Sequence, residues 1–72
     1  MTKLRFEQGE TIRFRVRSDV PEEIHVHGYD VTQAIAPGET TDVSFPAEIT
    51  GIFEIELHNS GEQIAQLRVD PE

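Results

Sequence analysis

Residues 11–17 read TIRFRVR. Ile12, Phe14 and Val16 alternate without a break with Arg13, Arg15 and Arg17. Successive side chains of a strand point to opposite faces. The stretch therefore predicts a strand with one apolar side and an arginine row on the other.

The same period recurs along the chain. GIFEIELH, Gly51–His58, sets Phe53, Ile55 and Leu57 against Glu54, Glu56 and His58. TDVSF points Val43 and Phe45 one way and Asp42 and Ser44 the other; AQLRV does so with Ala65, Leu67 and Val69 around Arg68; KLRF offers Leu4 and Phe6. Turn signals separate these runs: EQGE around Gly9, SDVP at Ser18–Pro21, APGE at Ala36–Glu39, EITG at Glu48–Gly51 and NSGE at Asn59–Glu62. No window carries a 3.6-residue apolar stripe. About six or seven short strands joined by polar turns predict an all-β, antiparallel β-sandwich, a single domain over residues 1–72. Its expected core is Phe6, Ile12, Phe14, Val16, Val43, Phe45, Phe53, Ile55, Leu57, Leu67 and Val69. Asp42, Glu54 and Glu56 are the expected cross-strand neighbours of the arginine row.

Cysteine is absent, which excludes disulfides, zinc ribbons, iron–sulfur clusters and thiolate nucleophiles. A domain this small then gains from a metal or a partner chain. The net charge is −8, and from Ser18 to Leu67 there are ten acidic residues and no Lys or Arg. Such a field repels phosphate backbones, so no nucleic acid is expected, and it attracts cations or a basic partner. No apolar run approaches the roughly 20 residues of a membrane span. The N-terminus lacks the apolar region of a leader. The expectation is a soluble chain, periplasmic or secreted if a leader was removed and cytoplasmic otherwise.

EEIHVHGYD, Glu22–Asp30, places His25 and His27 one residue apart, and His58 ends the GIFEIELH run. Residues i and i+2 of a strand share a face roughly 6.6 Å apart, so two imidazoles can converge on one ion. A third ligand must come from elsewhere, with His58 and Glu56 as candidates. Three N/O ligands with an open position suit Cu(II) or Zn(II). The plainer alternative has His25 and His27 hydrogen-bonded and part-buried, with Gly28 marking a bulge or close approach. No nucleophile elbow, phosphate-binding glycine loop or placed carboxylate pair is present, and the chain is not expected to be an enzyme.

GETIRFRVRSD, IHVHGYD, APGETTDVSFPAEITGIFEIELHNSG and LRVDP, in that order, resemble the cupredoxin-like family. The likeness is to small bacterial cupredoxin-like domains with an HxHGYD signature, and it runs from Gly9 to Pro71. It implies a Greek-key sandwich and a history with copper. It also implies an inward face for His25, His27 and Tyr29, with His25 at the first copper-ligand position, whereas Ile24 and Val26 compete for that face by hydrophobicity. The family's cysteine position falls on Leu57, and the following loop, His58–Gly61, has no Met. A type 1, blue-copper electron-transfer site is therefore not expected. Typical members carry another strand or two before the first one here. Lys3–Phe6 would then lie near an open edge, a candidate route to a homo-oligomer. The functional expectation is a small metal-handling module using His25, His27 and His58, with copper as the cofactor and zinc as the alternative. The competing expectation is a metal-free structural or interaction module with an unnamed protein partner.

Overall fold

The computed structural model describes all 72 residues, Met1–Glu72. Seven strands form in chain order: β1 (Thr2–Glu7), β2 (Thr11–Arg17), β3 (Glu22–Val26), β4 (Val31–Ile35), β5 (Thr40–Pro46), β6 (Gly51–Leu57) and β7 (Gln63–Asp70). They make two sheets. The larger has the order β1-β7-β6-β3-β4 and the smaller is the pair β2-β5. There is no helix, and so none long and apolar enough to cross a membrane.

Alternation at period two sorts each strand between core and solvent. Ile12 of β2 is buried opposite Phe45 of β5, while Ile24, Val26, Ile55, Leu67 and Val69 fill the inner face of the larger sheet. The expected all-β sandwich is present. One pairing departs from a purely antiparallel plan: β1 runs parallel to β7, with Leu4 beside Leu67 and Phe6 beside Val69. Asp70 holds this seam, accepting from Arg5 Nε at 2.6 Å and from Arg68 Nε at 2.7 Å.

The core differs from the sequence expectation in membership. Ile24, Val26, Ile35, Ala47 and Ala65 belong to it, while Phe6, Phe14, Val16, Phe53 and Leu57 are only partly buried. Two strands cannot cover the inner face of five. Leu4, Phe14, Val16 and Leu57 therefore line an open groove instead of a closed interior. The arginine row also finds fewer acidic neighbours than expected. Arg15 pairs with Asp42 across the β2–β5 ladder at 2.9 Å. Glu54 and Glu56 belong to the other sheet, on its solvent side, so they never meet the row.

The β3–β4 hairpin reverses through His27–Asp30. Gly28 has φ +90° and Asp30 φ +55°, the left-handed region that glycine enters freely and Asp tolerates. These two residues break strand parity. His27 stays on the outer side, whereas Tyr29 turns inward against Phe45 and Phe53, with ring centroids 5.0 and 4.8 Å away. The Tyr29 hydroxyl donates to the Ile49 carbonyl at 2.6 Å and accepts from the Ile49 N–H at 3.0 Å. The hairpin loop is thereby tied to the segment between β5 and β6.

Candidate metal centre

β3 puts Ile24 and Val26 into the core with no exposure. His25 must then face outward, and hydrophobicity decides the direction that the family resemblance left contested. The inward placement of His25 and His27 does not occur; only Tyr29 reaches the interior. The β3–β6 ladder sets His25 opposite Glu56. One step along, the His27 N–H donates to the Glu54 carbonyl at 2.9 Å, so the chain stays fixed to β6 where the second imidazole leaves it.

Three side chains meet on this outer face. His25, His27 and Glu56 each present a ligand atom, all within 4.8 Å of one another. Glu56 Oε1 is 2.6 Å from His27 Nε2 and 3.9 Å from His25 Nδ1. The imidazole rings lie 4.4 Å apart between centroids and are tilted by 45°. The side chains of His25, His27 and Glu56 are 30%, 44% and 26% exposed, open enough for an ion to enter from solvent. His27 Nε2 itself is covered and has no hydrogen-bond partner. Glu56 Oε1 lies 2.6 Å away without completing a hydrogen bond to it.

Buried polar atoms without partners are uncommon, and each asks for a reason. A cation shared by His27 Nε2 and the carboxylate is one; a proton held between them is another. The donor set is two imidazole nitrogens and one carboxylate, which fits Zn(II) or Cu(II) with coordination positions left open. Neither a thiolate nor a thioether is among the three, so the set does not fit a blue-copper centre. Glu23 and Glu54 lie one strand period away on the same outer face and add to the negative field that would draw a cation in.

His58 stands outside this group. Continuing the β3–β6 register places it opposite Glu23, and its N–H donates to the Glu23 carbonyl at 2.8 Å. That is the end of the ladder away from His27. His58 shares the face of Glu56, as alternation required, but two residues further along, and it is exposed. Glu56 was the other candidate for the third position, and it is the one the ladder brings to the histidines.

Next to His58 the chain turns over a buried carboxylate. Glu22 is 7% exposed. Its side chain accepts from the N–H groups of Asn59 at 2.9 Å, Ser60 at 3.1 Å and Glu23 at 3.1 Å. Burial alone would raise its pKa; the donors from Asn59, Glu23 and Ser60 outweigh burial and hold it below the ordinary value. This clamp fixes the β6–β7 turn to β3. Nothing in EEIHVHGYD marks Glu22 as buried, because its partners come from a turn far away in sequence.

No family model matches the sequence, and no curated protein does. In three dimensions the chain is similar to a copper nitrite reductase from Nitrosomonas europaea, with a TM-score of 0.73 and 21% identity over 97% of this chain. The fold is cupredoxin-like. The chain spans 30% of the length of that reductase chain, and at this identity the likeness is one of fold. The cupredoxin-like sandwich here carries its histidine cluster on the outer face of the larger sheet.

Proposed function

We propose that this chain is a small metal-binding module that holds Cu(II) or Zn(II) through His25, His27 and Glu56, and that it binds and hands on the ion without catalysing a reaction. One observation carries the reading: the covered, unpartnered His27 Nε2 beside a carboxylate, with a second imidazole in reach. The HxHGYD motif and the cupredoxin-like fold also support placing the chain among small copper-related domains that lack the blue-copper ligands.

The protein's part would be positional. Ile24 and Val26 lock β3, and the His27 N–H bond to Glu54 fixes the loop, so both imidazoles start from a rigid ladder. The surrounding carboxylates supply the attracting field. Glu56 contributes charge and neutralises part of the ion.

The 2.6 Å approach of His27 to Glu56 favours one second reading. It is shorter than the spacing of two ligands on one ion, about 3.3 Å for bonds of ~2.0 Å in a tetrahedron. A protonated His27 paired with Glu56 accounts for it in a metal-free scaffold. Calorimetric titration of the chelator-treated chain with Zn(II) and Cu(II) at neutral pH separates the two. The metal reading expects saturable binding at one ion per chain, lost in His27→Ala and strongly weakened in Glu56→Gln. An absence of saturable binding of either ion leaves the scaffold reading.

A further inference from the structure

The smaller sheet has an unused edge. β2 bonds to β5 on one side only. On its other side lies an open groove of about 520 Å³, walled by Leu4, Phe14, Val16, Ile55, Leu57 and Ile64 and rimmed by Arg13, Arg15 and Arg17. The groove is the part of the larger sheet's inner face that a two-stranded sheet leaves uncovered.

The main chain of β2 is aligned for a further partner. The Ala47 N–H donates to the Glu10 carbonyl at 2.9 Å, one step beyond the Thr11–Pro46 pair of the β2–β5 register. In an antiparallel ladder, hydrogen-bonded and non-bonded pairs alternate. Ile12, Phe14 and Val16 are then the residues whose amides serve β5. The peptide groups of Arg13, Arg15 and Arg17 point to the free edge. Pro46 agrees with this phase: it lacks an N–H and faces Thr11, where the ladder needs none.

We infer that the β2 edge accepts an extended segment of another polypeptide, with alternating apolar and acidic residues, as a third strand of the smaller sheet. Strand addition supplies main-chain bonds, and alternate side chains give the specificity. On one side the added residues enter the groove over Leu57 and Ile64. On the other they stand beside the arginine row. Five of the six basic residues belong to β1 and β2, and Arg13 has no ion-pair partner within the chain. A second copy fits poorly. Pairing β2 with β2 sets Arg against Arg, which is destabilising. β1 brings Lys3 and Arg5, β4 has no acidic residue, and β5 has only Asp42.

The test uses the whole chain and a fluorescein-labelled heptapeptide of alternating Glu and Val, with a Lys/Val peptide and an N-methylated Glu/Val peptide as controls. Fluorescence anisotropy should show saturable binding of the Glu/Val peptide, about tenfold or more tighter than of the Lys/Val peptide. N-methylation should abolish it, and the double variant Arg13→Glu, Arg17→Glu should reverse the charge preference. Amide exchange should slow at Arg13, Arg15 and Arg17 on binding. Equal binding of both charge types, retained binding of the N-methylated peptide, or protection confined to the β1 or β4 edge overturns the inference. So does an absence of saturable binding. Concentration-dependent protection of the β2 amides without peptide also overturns it, because a second copy would then be the occupant.

Discussion

Glu56 stands directly across from His25 in the β3–β6 ladder, and the next outward position of β3's chain brings His27 to the same carboxylate. The cluster is a product of register. A one-residue slip of β3 against β6 would turn every outward group of one strand inward, so the core residues Ile24, Val26 and Ile55 hold the centre together even though none of them touches an ion.

The ligand set follows from this register and can be tested variant by variant. Metal added to the wild-type chain should raise its melting temperature; at a hundredfold excess over Kd the gain in stability is about 2.7 kcal/mol. His25→Ala and His27→Ala should remove the gain and Glu56→Gln should cut it sharply. His58→Ala should leave it unchanged. The gain should also fade on acidification, because only neutral imidazole binds a metal ion. Loss of the gain in His58→Ala, with Glu56→Gln unaffected, would move the third position from Glu56 to His58.

A copper-loaded sample should show weak visible absorption only. The intense thiolate-to-copper band needs a Cys ligand, and the chain has none. Its appearance in an absorption spectrum of the purified chain would contradict the donor set outright.

Gly28 should resist replacement. It sits at φ +90°, and a Cβ there would lie 2.5 Å from Phe53 Cδ1. The ring cannot yield easily, since it packs edge-on against Tyr29. Gly28→Ala should cost about 1–3 kcal/mol from overpacking, with a further ~1 kcal/mol from the left-handed backbone. Chemical denaturation measures it. A change within about 0.5 kcal/mol, as for an ordinary surface site, would mean the loop relaxes away from Phe53.

The strands of TIRFRVR and GIFEIEL were legible because alternation alone fixes their faces. The core positions Ile12, Val43, Phe45, Ile55, Leu67 and Val69 were legible for the same reason. VTQAI was not read as a strand. As β4 it is an edge strand that touches the core mainly through Ile35, so it never needed to alternate. The direction of HVH stayed open because histidine tolerates either face, and Ile24 and Val26 carried the better signal. The turn of Tyr29 into the interior depends on positive φ at Gly28 and Asp30, which a two-residue period does not encode. His58 and Glu56 share one face of β6, and only the β3–β6 register chooses between them.

The buried carboxylate of Glu22 should govern the acid limit of the fold together with Asp70. Both are held below their ordinary values of 4.5 and 3.8, Glu22 by backbone donors working against burial and Asp70 by Arg68 and Arg5. A carboxyl with a depressed folded pKa contributes stability that is complete above its unfolded pKa and is lost as pH falls through the folded one. Unfolding should therefore set in below about pH 4.5 and deepen as each group protonates. Glu22→Gln isolates one contribution. Glutamine keeps the shape but offers a weaker acceptor to the Asn59 and Ser60 N–H groups. The variant should be less stable than wild type at neutral pH, and the gap should narrow as pH falls, because protonated Glu22 resembles the amide. Denaturant melts at a series of pH values read this directly. A gap that stays constant from neutral pH to pH ~2 would show that the clamp works through packing and not through the charge on Glu22.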